Sequence, residues 1–397
     1  MKSLPHLESF PSIGQTTSGN TEKAERSHEE PAIPGVLSST NSAQRANESP
    51  RRGLTMLTKL RTFLLFLALA FATAAVQASP PVTELSQVKQ SRPAMGSPFE
   101  VTAVHVDPAA AEAAVVAAFA EVDRIEALIS SWREDSETSA INRNAGKQPV
   151  AVSEELYQLI RRAIRVGALT EGAFDISFAA LGGLWDFTAA EPRLPDPEAV
   201  QRALADVNFH DIELNGDRLT VFLPRPGMRI GLGGIGKGYA ANRAVAVLRE
   251  LGASGGLVNA GGDLVAFGQD AQGAAWRVAI ADPINKGQVF AYLDLTEQAV
   301  VTSGDYERFV EIDGKRYAHI LDPRTGYPVE GARSVTVICP DGELADALAT
   351  AVFVLGPEAG LAIIDQLRGI EALVIDDSGK LHFSADLQSK YITNEEP

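Results

Sequence analysis

A single cysteine, Cys339, stands in a chain of 397 residues. That scarcity excludes an intrachain disulfide, a disulfide scaffold and a cysteine-rich metal site. Cys339 ends the apolar run that begins at Ser334 and reads as a small buried core residue. Positive charge is also in short supply: 35 basic residues face 51 acidic ones, for a formal charge of −16. No basic block interrupts the chain beyond residue 78. Phosphate neutralisation needs clustered Lys and Arg, so nucleic acid is not an expected partner. No segment repeats at a fixed period. Apolar residues, at 45%, suffice to fill the core of one large domain or two ordinary ones.

One apolar run does stand out. From Met56 the chain reads MLTKLRTFLLFLALAFATAAVQASPP, with Lys59 and Arg61 ahead of an apolar stretch from Phe63 to Val76 and small residues after it. This is the pattern of a secretory signal, with Val76 and Ala78 at the two positions a signal peptidase reads and cleavage expected after Ala78. The run falls short of the ~20 apolar residues that a membrane span needs, and no cysteine follows it to carry a lipid. The expected product is exported and periplasmic, soluble or loosely associated with the inner membrane. Residues 1–55 are polar and rich in Ser, Glu, Pro and Asn, which predicts disorder or a misassigned upstream extension with Met56 as the true start. The expected organisation is therefore 1–55 extension, 56–78 signal peptide and 79–397 a single catalytic domain.

Within that domain, Phe99 to Val106 reads as a strand. Asp107-Pro108 opens a helix to about Ser130, with Val115, Phe119, Val122, Ile125 and Ile129 at helical spacing. A second helix starts at Ser153, and a short one follows Pro197. Asn215-Gly216-Asp217 predicts a hairpin, and Met228 to Leu232 a further strand. Lys237 to Leu251 reads as a helix stopped by Gly252. Five strands are expected between Gly256 and Thr302, and another from Val335 to Cys339. Helices near Leu344–Val354 and Glu358–Leu367 and two terminal strands complete an α+β pattern of mixed or antiparallel sheet with packed helices.

Three segments carry chemistry. GLGGIGKG, Gly231 to Gly238, lies between a strand-like run and a helix. Gly231, Gly233 and Gly236 match a dinucleotide fingerprint, but the flanking elements do not alternate as a doubly wound sheet requires. Gly231, Gly236 and Lys237 match most of a Walker loop, but Gly238 stands where Ser or Thr would hold magnesium. What remains is close backbone approach and a helix N-terminus that favours anions, or simply a tight strand-to-helix turn. The second segment, Ser303 to Pro328, places His319 before the polar turn Asp322-Pro323-Arg324-Thr325-Gly326. Near its ordinary pKa a histidine moves protons at neutral pH, although a lone one is often structural. In the third, GELADALATAVFVLG, Asp346 and Thr350 are four apart on one helix face and offer two hard oxygens of the kind magnesium accepts, or else a capping acid and a back-bonded Thr.

Read together, these residues resemble the ApbE-type FAD:protein FMN transferases. Nine blocks appear in that family's order: PAMGS (Pro93–Ser97), SSWREDSETSAIN (Ser130–Asn142), GAFDIS (Gly172–Ser177), LW (Leu184-Trp185), GIGKGYAANRA (Gly234–Ala244), VNAGGD (Val258–Asp263), TSGDYERF (Thr302–Phe309), HILDPRTGYP (His319–Pro328) and ADALATAVFVLG (Ala345–Gly356). The resemblance spans nearly the whole domain. It implies that Met95, Trp132, Ala173, Phe174, Asp175, Tyr239 and Ile320 contact FAD, joined by Gly233 and Lys237 of the glycine-rich loop. It implies that Gly236 (through its carbonyl), Asp346 and Thr350, with Ala349 beside them, hold magnesium. His319 falls on the family's acid–base histidine, with Asp305 and Asp322 as substitute proton acceptors. Four positions depart from the family pattern: Ser97 for Thr, Gly236 for Ala, Ile176 for Pro and Asn242 for Asp. The last is expected to remove a helix salt bridge.

The activity implied is cleavage of FAD, transfer of FMN to a Ser or Thr hydroxyl of an exported or membrane-bound acceptor flavoprotein, and release of AMP, with magnesium as cofactor. Two rivals share the site: a FAD pyrophosphatase, in which water replaces the acceptor hydroxyl, and a FAD-binding protein without turnover.

Overall fold

The computed structural model describes residues 84–189, 191–281 and 288–387. The expected extension and signal peptide lie outside these residues. A hairpin of β1 (Ser86–Ala94) and β2 (Ser97–His105) leads into α1 (Pro108–Ile129), α2 (Glu137–Arg143), β3 (Val150–Ala151) and α3 (Glu154–Leu169). A 3-10 turn (Ile176–Leu181), α4 (Pro197–Leu204), β4 (Glu213–Asn215) and β5 (Thr220–Phe222) precede α5 (Gly236–Glu250). Five strands follow: β6 (Gly255–Ala260), β7 (Asp263–Gly268), β8 (Trp276–Ala281), β9 (Val289–Leu295) and β10 (Gln298–Gly304). The chain closes with β11 (Phe309–Ile312), β12 (Lys315–Ala318), β13 (Ala332–Cys339), α6 (Gly342–Ile364), β14 (Glu371–Asp376) and β15 (Leu381–Phe383).

The helices begin where their caps dictate. Asp107, Ser153, Asp196 and Asp341 each accept a backbone N–H of the first turn, and proline opens α1 and α4. α6 contains a break at Gly356-Pro357, where Gly356 has φ 76°. It is therefore two helical pieces, as the sequence predicts. Among the described residues α6 alone is long and apolar enough to cross a membrane, but here it packs on β10, β13 and β14 as a core helix.

Eight strands form one sheet in the order β1-β2-β6-β7-β10-β13-β14-β15, and every pairing in it is antiparallel. The class is α+β, and the parallel sheet that a dinucleotide fingerprint demands is absent from the described residues. Alternation along the strands sends Phe99, Val101 and Val337 toward α1, α5 and α6, and Val104, Val300 and Ile338 to the opposite face. That second face is covered by the β8–β9 hairpin, whose Trp276 indole N–H donates to the Phe267 carbonyl at 3.0 Å. Cys339 is buried, and burial pushes its thiol up to about 12, consistent with a core role.

Register brings three turns to one end of the sheet. The β1–β2 turn is Met95-Gly96, the β6–β7 turn is Gly261-Gly262, and β10 runs out there into Asp305–Arg308. Both residues of the first turn have positive φ (49° and 73°), the geometry that suits a two-residue hairpin.

One strand expected from the sequence does not form. Met228 to Leu232 is irregular, because its backbone bonds go elsewhere. The Asn142 side-chain amide exchanges two hydrogen bonds with Ile230, at 2.8 and 2.9 Å, and the Gly231 N–H donates to the Ile176 carbonyl. The apolar run is buried against α2 rather than paired in a sheet.

Candidate active site

The glycine-rich loop lies against the polar face of α6. The Gly238 N–H donates to Oδ2 of Asp346 at 3.0 Å, and the Asn242 side-chain oxygen accepts the Gly342 N–H at 2.9 Å. Asn242 thus accepts an N–H of the first turn of α6 as an aspartate would, though as a neutral amide it brings no ion pair. Helix-to-helix approach is close enough that a Cβ on Gly238 would overlap the Gly342 carbonyl and come within 2.9 Å of the Asp346 Cβ. Gly238→Ala is expected to destabilise the protein by about 3 kcal/mol or more, since backbone must move on both sides. Urea unfolding midpoints of the two proteins check this.

Further along the loop, a Cβ at Gly234 would stand 3.1 Å from Thr350 Oγ1 and 3.4 Å from the Phe174 ring, while one at Gly233 would meet nothing within 4 Å. The Cε of Met95 lies 3.7 Å from the corresponding point on Gly236. The loop is therefore packed on Phe174, Met95 and the Asp346–Thr350 face below, and open at Gly233 above.

Charge is concentrated under this loop. Asp346 is 3% exposed. Burial, reinforced by the neighbouring Asp263 carboxylate and opposed by Lys237, pushes it up to about 7. Nζ of Lys237 lies 2.8 Å from Oδ2 of Asp263. Asp263 is wholly buried, and neither of its carboxylate oxygens has a hydrogen-bond partner. Two buried carboxylates share one ammonium, an arrangement that a small hard cation would relieve. Among the described residues no group of three His, Cys, Asp or Glu is placed to hold a metal. A cation here would draw on Asp346, the half-buried Thr350 hydroxyl four residues on and backbone oxygen. That donor set fits magnesium, which completes its shell with water and phosphate. Ala349 is fully buried between them and offers only its backbone.

His319 is linked through Arg308 to the Met95-Gly96 turn, whose Met95 packs on the loop at Gly236. Its backbone N–H and its Nδ1 both reach the Arg308 carbonyl, at 3.0 and 3.2 Å. A carbonyl only accepts, so Nδ1 carries the proton and Nε2 keeps its lone pair. Burial, with Arg308 and Lys237 nearby, pushes the imidazole down to about 4. This corrects the expectation of an unshifted histidine: it is neutral throughout the physiological range. Arg308 also donates to the Gly96 carbonyl at 3.2 Å, tying the Met95-Gly96 turn to the histidine. The Met95 N–H is anchored on Glu126 at 3.0 Å.

The two substitute acids are otherwise engaged. Asp322 takes three hydrogen bonds from Arg324, two of them from its guanidinium, at 2.9 Å each. Asp305 sits 3.7 Å from Arg316 in a separate charged cavity of about 330 Å3 with Lys315, Glu330, Arg333 and Asp377, and burial raises its pKa. The Asp322 turn is fixed from behind, where the Trp185 indole donates to the Gly326 carbonyl at 3.0 Å. This contact accounts for the Leu184-Trp185 block.

The residues implied for FAD divide by exposure. Trp132 is 91% exposed on the loop after α1, while Met95 and Ile320 are half-buried. Ala173, Phe174 and Tyr239 are buried. The Tyr239 hydroxyl donates to Glu155 at 2.5 Å. Asp175 spends its carboxylate inside the fold, accepting from the Ser177 N–H and hydroxyl and from the Phe209 N–H. These buried groups lie beneath the surface, Trp132 and Gly233 are exposed, and the half-buried Lys237 turns its ammonium inward to Asp263.

Against known proteins, the model of the ApbE family matches residues 95–374. The chain belongs to the ApbE family. The FAD:protein FMN transferase of Treponema pallidum is 38% identical over 69% of this chain and 80% of its own length. That of Salmonella typhimurium is 31% identical over 79% and 92%. Among solved structures, the ApbE protein of Thermotoga maritima superposes with a TM-score of 0.71 at 32% identity, covering 77% of this chain and 99% of its own. Flavin transferase ApbE of Vibrio cholerae gives 0.70 at 30%, with the same coverage. The α+β antiparallel architecture is thus the ApbE fold. Two residues in the matched blocks drew no role from the sequence, Asp263 and Arg308. An acid directly after Gly-Gly at the head of an apolar strand was a signal for the first. Nothing local marked the second.

Proposed function

We propose that this ApbE-family chain transfers the FMN moiety of FAD to a Ser or Thr hydroxyl of an exported or membrane-bound acceptor flavoprotein, releasing AMP. The observation that carries this reading is the buried Asp346 carboxylate held against the glycine-rich loop, with neutral His319 tied through Arg308 to the Met95-Gly96 turn that packs on the same loop. Magnesium, when bound by Asp346, Thr350 and the Gly236 carbonyl, would supply charge neutralisation of the FAD pyrophosphate. Lys237 offers a second positive charge to the same phosphates. The half-exposed face around Met95, Ile320 and Trp132 offers apolar and aromatic surface to the ring systems. His319 Nε2 accepts the proton of the attacking hydroxyl as the new P–O bond forms and AMP departs with the electrons of the pyrophosphate bond. An anionic substrate raises the imidazole pKa toward the working pH, which suits a base held neutral beforehand. Water in place of the acceptor hydroxyl would give hydrolysis as the competing outcome.

The test is incubation of the chain from Ser79 onward with FAD and magnesium, with and without each exported flavoprotein encoded in the same genome. AMP release that requires an acceptor, together with flavin fluorescence on that acceptor in a denaturing gel, is expected. AMP and free FMN without acceptor would mark a pyrophosphatase, and FAD returned intact would mark a binding protein.

Two further outcomes follow. Because a proton and magnesium compete for Asp346, the rise in Tm on adding magnesium should be small below pH 6 and grow as pH passes about 7. Thermal melts across pH with and without magnesium check this, and a pH-independent increment would contradict it. Export is proposed from the signal pattern at 56–78, so N-terminal sequencing of periplasmic protein should find Ser79.

A further inference from the structure

Asp263 opens β7 directly after the Gly261-Gly262 turn and has no exposed surface. Neither of its oxygens has a hydrogen-bond partner; Oδ2 meets the Lys237 ammonium at 2.8 Å as an ion pair alone. The Lys237 side chain stays 22% exposed, in the first turn of the helix that follows the open Gly233 backbone. Asp346, the other buried acid that this ammonium feels, turns Oδ2 to the Gly238 N–H instead. A buried carboxylate satisfied on one side only is a poor stabiliser, and apolar residues of similar size in place of such a pair are often as stable or more so. The rest of β7 shows what the fold prefers there, since Val265, Ala266 and Phe267 are all buried apolar residues. The pair is costly where it stands, with its lysine in the first turn after the glycine-rich loop, which points to function rather than folding.

We propose that Asp263 is a positioning residue for the transfer reaction: it holds the Lys237 ammonium off Asp346 and keeps it directed, past Gly233, at the FAD pyrophosphate. This rests on the FAD reading above. Without Asp263 the ammonium is free to pair with Asp346, which costs the site both a phosphate contact and its metal-binding carboxylate.

Two variants test this. In Asp263→Asn, FAD binding followed by flavin fluorescence without metal should weaken about tenfold. The magnesium concentration for half-maximal transfer should rise by a similar factor, while kcat with both saturating stays within a few-fold. In Asp263→Leu/Lys237→Met the apolar pair should melt at or above the wild-type Tm yet bind FAD about tenfold more weakly. A merely structural pair gives the reverse, lost stability with FAD affinity intact. Wild-type FAD affinity in either variant, or failure of the double variant to fold, overturns the proposal. A wild type that binds FAD but transfers no FMN sinks the reaction reading and leaves the affinity comparison decisive for Asp263. A wild type that does not bind FAD sinks both.

Discussion

Asp346→Ala is expected to abolish FMN transfer at limiting magnesium while FAD still binds through its rings. Thr350 and a backbone carbonyl alone carry no formal charge to hold a dication. Alanine also strands the Gly238 N–H that Asp346 now accepts, so Asp346→Asn is the sharper variant: it keeps an acceptor for that N–H and removes only the charge. Both should be inactive, and the Asn variant should fold at least as well as the parent above pH 7, where the parent pays to keep a buried carboxylate ionised. Isothermal titration with magnesium, alongside the transfer rate, separates loss of metal from loss of fold. Full activity of Asp346→Asn in limiting magnesium would remove Asp346 from the metal site.

His319→Ala should leave FAD affinity near normal and slow transfer by about 10²–10⁴-fold, the usual contribution of an acid–base group, in single-turnover assays with FAD saturating. The pH profile fixes the role. In the free protein the imidazole titrates at about 4, so a base is already active above that value. On its account His319 itself imposes no fall in kcat/KM between pH 5 and 8 when magnesium is kept saturating at Asp346, and its own fall comes only below about 4. A cationic stabiliser would show the opposite sign, active below that pKa and lost above it. Stability moves with the same group: the folded pKa lies below the ordinary 6.5, so its contribution is full at neutral pH and declines as pH falls from about 6.5 to 4. If His319→Ala transferred FMN at the parent rate, Asp305 would be the next proton acceptor to examine. The Asp322 carboxylate is already held by Arg324.

Elements with a strong periodic signal and a cap were legible in the sequence. α1 and α5 fall within a residue or two of expectation, as does the start of α3, and the Gly356-Pro357 break was readable as punctuation. β1 was not legible, because SQVKQSRPA carries almost no apolar alternation. It is an edge strand, and its shape comes from pairing with β2. Met228 to Leu232 misled for the reverse reason: its apolar run is genuine burial, but Asn142, 88 residues away in the chain, supplies the hydrogen bonds. The chemistry divides in the same way. Asp346 and Thr350 share a helix face, which spacing alone reveals. The Lys237–Asp263 pair, the Arg308 link between Gly96 and His319, and the burial that lowers the His319 pKa are tertiary facts with no local trace.

The most direct measurement is mass spectrometry of an acceptor flavoprotein after incubation with this protein, FAD and magnesium, with AMP counted in the same sample. The account predicts one FMN in phosphoester linkage on a Ser or Thr for each AMP released, and neither product with Asp346→Asn. AMP released with no flavin on the acceptor, or flavin attached without AMP, would contradict it.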